Sequence, residues 1–397
     1  MDVILLEWLS AMVRWLHVIA GIVWIGTSFY FVALDYKLLP PKERADAEKG
    51  VRGEAWEIHG GGFYQVQKYQ VAPPTLPERL LWFKWEAYTT WLTGFALMVV
   101  LYYVRADTYL IDRSVADLAE GEAIAISVAL LAATWVVYDG LCRLLARNEL
   151  ALAAFLLALV AGSAYGLSQL FGDRAVYIQL GAMLGTIMAG NVLFVIIPGH
   201  WELVRAKEAG REPDPTPGIR GKQRSVHNNY LTLPVLFAMI STHFPFTYGH
   251  AQGWVVLVAL MAIGAWARHF FNLRHRGKTV WAIPVTAAAA IAGVAVGIRP
   301  ERAPSGRTEG PVPFAQVREI VQRRCATCHS ARPTDPNFRV APKGVRLDTP
   351  EEIRAQAAAI ERVAVLSEVM PLGNVTRMTQ EERDLLGEWI RQGAKSG

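Results

Sequence analysis

Residues 9–34, LSAMVRWLHVIAGIVWIGTSFYFVAL, form an apolar run with a single charge, Arg14. About 20 helical residues cross a hydrocarbon core, so this stretch is long enough to span one. It is too long for a removed signal peptide and offers no small-residue cleavage site, so it is expected to stay as an anchor. Seven more apolar stretches follow, roughly Leu80–Val104, Ala123–Leu145, Leu150–Leu170, Val176–Ile197, Tyr230–Phe246, Trp254–Phe271 and Val280–Ile298. Pro234 interrupts the sixth span, which a membrane helix tolerates when its neighbours satisfy the freed carbonyl. Composition agrees: hydrophobic residues make up 52% and charged ones 19% of 397, where soluble chains carry about a quarter charged. Disorder and a simple soluble enzyme are thereby excluded. The formal charge of +5 is spread over short loops with no basic stripe, so no nucleic-acid partner is expected.

Loop charges orient the bundle. One set of loops carries Lys37, Lys42, Arg44, Lys49, Arg52, Lys68 and Arg79, then Arg147, then Arg205 to Arg224, then Arg274, Arg276 and Lys278; the alternate set carries only Arg105, Arg113 and Arg174. The first set is expected on the cytoplasmic side. Eight spans with this bias put both termini in the periplasm, in a bacterial inner membrane. Among the cytoplasmic loops, residues 54–69 alternate on both sides of three glycines and read as a hairpin lying against the membrane.

After Ile298 the composition changes. Residues 299–312, RPERAPSGRTEGPV, read as a linker between a membrane domain (1–298) and a polar tail (313–397). The tail holds Cys325-Ala-Thr-Cys328-His329, the attachment motif of haem c: two thiols bond the vinyl groups and the adjacent imidazole lies under the iron. No other Cys or His follows His329, so zinc lacks ligands there. Residues 314–324 read as a helix delivering the motif, and Thr349 and Thr379 each open a capping box. The last helix places Leu385, Leu386, Trp389 and Ile390 on one apolar face. The order of these parts resembles a small class I cytochrome c. Its sixth ligand is expected to be a methionine, Met370 before Pro371 or, less well placed, Met378. The fold expected is therefore all-α: a polytopic membrane helix bundle of about eight spans fused to a C-terminal class I cytochrome c domain.

Ionisable groups inside spans are costly and count as functional candidates. The polar and ionisable candidates are His17, Lys84, Glu86, Asn191, His200, His227, Asn228, Asn229, His243, His250 and His269, with the anchoring of span ends as the competing reading for His200 and His269. His17 stands out, several turns inside the first span beside Gly21 and Gly26. Cys142, alone on an apolar helix, reads as inert.

The His17–Gly26 segment is similar to the first helix of membrane protoporphyrinogen oxidases, where a histidine is thought to bind haem b. The whole chain resembles the membrane-bound cytochrome c urate oxidase (urate hydroxylase) family. The resemblance rests on the architecture and on residues 84–91 (KWEAYTTW), 227–234 (HNNYLTLP), 325–335 (CATCHSARPTD) and 370–374 (MPLGN). It implies oxidation of urate to 5-hydroxyisourate, with water supplying the oxygen, no peroxide formed, and electrons leaving through haem c to a soluble cytochrome c or terminal oxidase. A cytoplasmic substrate and a periplasmic haem c would be separated by a core about 30 Å thick. With no Fe–S cysteine set and no dinucleotide fingerprint, a haem b held by His17 and His243 is the economical intermediate carrier. Lys84, Glu86, His227 and Asn229 could line a pocket for a planar purine anion, with Lys84 and Trp85 giving charge and stacking and Glu86 or His227 taking protons. A second reading, from another class, is an electron-transfer subunit that oxidises quinol or a partner protein and has no urate site; a third is a porphyrin handler.

Overall fold

The computed structural model describes residues 3–146, 148–299 and 310–395. Most of the expected linker, and Arg147 among the loop cations, lie outside them. The first apolar run forms α1, Val3–Lys37, about 50 Å long at 1.5 Å per residue. Two strands follow, β1 (Val51–His59) and β2 (Gly62–Tyr69), paired antiparallel. Gly60 and Gly61 supply the two positive-φ positions that a two-residue turn of this hand requires. The hairpin is where the expected alternation puts it, and it makes the fold helical with one two-stranded exception.

The remaining bundle helices are α2 (Trp85–Met98), α3 (Glu120–Leu144), α4 (Glu149–Ser168), α5 (Asp173–Glu208), α6 (Thr216–Ile240), α7 (Gly253–His275) and α8 (Ala282–Gly297). A π-helical turn, Val99–Tyr103, extends α2, and another, Val192–Ile196, lies within α5. Five helices, not eight, are long and apolar enough to cross a membrane among the described residues: α1, α3, α4, α5 and α7. The reasons are local. Helix α2 starts only at Trp85; α6 starts at Thr216 with a polar first half and ends at Ile240; α8 has 16 residues.

The bundle has two distinct ends. At one, Lys68 and Lys222 both reach Asp35, at 2.5 and 3.5 Å, and Arg276 donates to the Tyr36 hydroxyl at 2.7 Å. This is the hairpin end, and it gathers the more basic loops. At the other end lies the tail. There Asn337 Nδ2 donates to Thr108 Oγ1 at 3.3 Å, and Val369 packs against the bundle core. Gly373 sits so close that a Cβ would lie 2.9 Å from the Ile111 carbonyl oxygen and 3.1 Å from that of Thr108.

The tail has its own hydrophobic core, built from Val317, Ile320 and Val321 of α9 (Phe314–Arg324), Ile353 of α10 (Pro350–Ala355), and Leu386 and Trp389 of α11 (Gln380–Arg391). Both capping boxes form as their residues foretell: Thr349 Oγ1 accepts from the Glu352 amide and Thr379 Oγ1 from the Glu382 amide.

Candidate functional site

The segment 224–230 of α6, RSVHNNY, places polar side chains on two opposite faces, because successive residues on a helix turn by about 100°. On the face toward α3 and α5, Arg224 Nη2 donates to Asp139 Oδ1 at 2.7 Å, and Asp139 Oδ2 accepts from Arg143 at 2.7 Å. Both Arg224 and Asp139 are buried. His227 Nδ1 lies 2.8 Å from the Tyr138 hydroxyl and 3.8 Å from the Cys142 sulfur. Asn191 Nδ2 donates to Tyr138 and to Asn228 Oδ1, both at 2.9 Å. Arg224, read from sequence as a loop cation, is instead an internal one, since α6 begins 14 residues before the expected span. Cys142 likewise gains a neighbour that its isolation in sequence did not suggest.

On the other face, Asn229 Oδ1 accepts from Arg268 Nε at 2.9 Å. The Arg268 guanidinium lies 3.6 Å from the centre of the Phe29 ring of α1. Asn272 is one turn along α7 from Arg268, and all three polar residues are buried. Four polar atoms of this group have no hydrogen-bond partner: Asn229 Nδ2, Arg268 Nη2 and both amide atoms of Asn272. Each such orphan costs about 1–3 kcal/mol if left dry. A planar ligand with an anionic, carbonyl-bearing edge matches the chemistry of that set: three donors and one acceptor are left open on two helices, and an aromatic ring lies under the guanidinium. Arg268 and Asn272 were missed in the sequence. Their signal was a cation and an amide four residues apart within an apolar helix.

The four expected pocket residues thus fall in separate settings. His227 faces Tyr138 and Asn229 faces Arg268, on opposite sides of α6. Lys84 Nζ lies 5.5, 5.7 and 5.9 Å from the rings of Trp82, Trp85 and Trp201, and the first and last of these stack at 4.4 Å. The cation is thereby held by aromatic faces. Glu86 Oε2 is buried without a hydrogen-bond partner.

His17 packs on α2, where Gly94 leaves room for it: a Cβ there would lie 3.0 Å from the imidazole Cε1. Its Nδ1 is 3.0 Å from both the Thr90 carbonyl and Thr93 Oγ1. Donation to that carbonyl fixes the tautomer that leaves Nε2 as an acceptor, the arrangement of a histidine able to ligate a metal. His243, by contrast, is exposed in the short turn after α6. Depth along α5 separates the pair. Trp91, just below Gly94, bonds Thr186, whereas Ala238 packs on Gly181 and His243 lies beyond it. No hydrogen bond or ring contact joins the two imidazoles among the described residues.

In the tail, α9 delivers Cys325 and Cys328, both free. Burial pushes the Cys325 thiol up to about 12 and that of Cys328 up to about 11, away from the depressed values of a redox pair. His329 Nδ1 lies 3.0 Å from the Val345 carbonyl, again the tautomer that frees Nε2. The residues present fit a covalently attached haem. Met378 is buried in the core, fastened through its backbone by the Asn374 side chain. Met370 borders that core, and the buried Arg383 donates to its carbonyl at 2.8 Å. Met370 is thus the methionine left at the edge of the core.

These features describe a bundle of apolar helices with charged and amide groups buried inside it, joined to a second helical unit with a haem-type cysteine pair. A model of the family described as "Urate oxidase N-terminal" matches residues 3–299, and the chain belongs to that family. Membership points to an oxidoreductase acting on urate, in purine catabolism. No curated protein and no solved structure matches the chain.

Proposed function

We propose that the chain is a membrane-bound urate oxidase that converts urate to 5-hydroxyisourate and passes the electrons to a covalent haem c, making no peroxide. The observation that carries this reading is the joining, in one chain, of a urate oxidase family unit to a tail whose Cys325, Cys328 and His329 suit haem c. Urate and water give 5-hydroxyisourate, two protons and two electrons, so the acceptor must turn over twice per urate. The bound haem would supply one-electron acceptance. Soluble cytochrome c or a terminal oxidase would take the electrons onward, and the hairpin end would face the cytoplasm by the loop-charge rule.

The chain's own residues do the rest. Arg268, Asn229 and Asn272 grip the carbonyl and N–H edge of the purine anion, and the dry surroundings strengthen each contact. Of the residues expected from sequence, Asn229 stays in this site. His227, hydrogen-bonded to Tyr138 on the opposite side of α6, lies outside this site. Lys84 and Glu86 mark the entrance side of α2. His17, with its Nδ1 turned to the Thr90 carbonyl, keeps Nε2 as the nitrogen suited to a membrane haem b, with His243 as the partner expected from sequence.

The test is urate added to purified protein without oxygen while the haem c spectrum is followed. Arg268→Met should slow urate-driven reduction about ten- to a hundredfold, as expected for charge-assisted hydrogen bonds worth about 1.5–3 kcal/mol. Dithionite reduction should be unchanged. Normal urate-driven reduction in this variant would place the substrate elsewhere.

A further inference from the structure

At the end of the bundle nearest the tail, α1, the extension of α2 and the start of α5 enclose a cavity of about 260 Å³. Arg14, Arg105 and Arg174 line it, opposed by one carboxylate, Glu7. Its aromatic walls are Tyr102 and Tyr109, whose rings meet edge to face at 6.4 Å. The Arg174 guanidinium stands 5.2 Å over the Tyr109 ring. The Tyr102 hydroxyl and Arg174 Nε are buried without a hydrogen bond of ordinary geometry, and the Arg174 side chain lies beside that hydroxyl. Three cations around one anion leave an uncompensated positive charge at an apolar, aromatic-walled hollow. That chemistry selects an anion with a flat unsaturated body rather than a small hydrated ion, because guanidinium forks pair with oxyanions and the rings offer a stacking face.

We propose that this cavity binds a planar organic anion and holds it within reach of the tail. Tyr109 belongs to the short helix Ala106–Tyr109, whose carbonyl at Thr108 lies against Gly373, three residues after Met370. Through Tyr109 the cavity therefore adjoins one of the segments of the bundle that meet the methionine loop. It is also far from the Arg268 group: Phe29 and Arg14 are 15 residues apart on α1, about 22 Å along its axis. The inference does not depend on where urate reacts.

Two sources present this chemistry. One is the carboxylate pair of a membrane haem, since His17 lies one turn deeper than Arg14 on the same side of α1. The other is urate itself, as a second molecule near the haem c unit.

Two readings on the full-length protein separate them. Non-covalent haem released by acid acetone is counted per covalent haem, and urate bound to dithionite-reduced protein, which cannot turn it over, is counted by equilibrium dialysis. Arg174→Met should either cut extractable haem at least tenfold or remove one of two bound urates, and Tyr102→Phe should move the same reading in the same direction by less. Loss of extractable haem identifies the carboxylates. A fall from two bound urates to one identifies the free anion, and the urate that Arg268→Met removes is then the other. Arg174→Lys, which keeps the charge, should recover part of the loss. Should Arg174→Met not accumulate, Tyr102→Phe alone carries the test. Both readings unchanged in the variants, or a wild-type protein that binds neither group, would overturn the proposal.

Discussion

The two ends of the bundle compensate their charges differently. At the hairpin end, Arg224 is neutralised by Asp139, and Arg268 is tied to Asn229 and laid on Phe29. At the tail end, Arg14, Arg105 and Arg174 surround an open cavity with only Glu7 against them. A buried network needs a ligand only where atoms are left orphaned, as at Arg268 and Asn272 and also at Arg224 Nη1 and Asn191 Oδ1, whereas an open basic cavity favours an anion that balances it. The difference suggests a division of labour, with substrate chemistry at one end and delivery to the acceptor at the other. The length of α1 sets the distance between them, and His17 lies between.

That division breaks if the acceptor is not at the tail end. The largest effects are expected at the two methionines. Met370→Ala should lower the haem c midpoint potential substantially, because a thioether that favours ferrous iron is lost. Met378→Ala should leave the potential nearly unchanged but cost about 2–5 kcal/mol of stability, as truncation of a buried core side chain does. Redox titration and thermal melting of the two variants distinguish these outcomes, and the reverse pattern would move the ligand to Met378.

The seam comes next. Gly373 has φ +55° and no room for a Cβ against the Thr108 and Ile111 carbonyls. Gly373→Val should push the tail off the bundle and slow urate-driven haem c reduction roughly tenfold by stopped flow, with dithionite reduction unaffected. An unchanged rate would mean that electrons do not cross at this contact.

The smallest effect belongs to the tail alone. Burial would raise the Glu382 carboxyl, but hydrogen bonds from Arg324 and the Thr379 amide, with help from Arg323, outweigh it and hold the group below its ordinary value. Its contribution is present above the unfolded value near 4.3 and is lost as pH falls through the lower folded value. The tail should therefore destabilise below about pH 4, and Glu382→Gln should flatten the melting temperature against pH in that window.

Much of this organisation was readable before any coordinates. Gly60–Gly61 announces a two-residue turn, and Thr349 and Thr379 announce helix starts, because each signal is local and its partners lie within a few residues. The long apolar runs of α1, α3, α4, α5 and α7 are equally plain. What sequence hides is the face a residue presents. Arg224 reads as one more loop cation and Arg268 passes unremarked, since hydropathy averages over a helix and does not say which side meets a neighbour. His227 and Asn229, two residues apart, look like partners in sequence but point to opposite sides. The setting of His17 and His243 is hidden for a related reason: counting along spans gives both one depth, but does not say that His17 packs against Gly94 while His243 stands in an exposed turn after α6.

The measurement that tests the central claim most directly is urate added anaerobically to the oxidised full-length protein. Haem c should be reduced at a ratio of two haems per urate consumed, with no hydrogen peroxide formed, and Cys328→Ala should lose both the covalent haem and the signal. A haem c spectrum that stays oxidised while urate disappears, or urate consumption that requires oxygen and yields peroxide, would contradict the account.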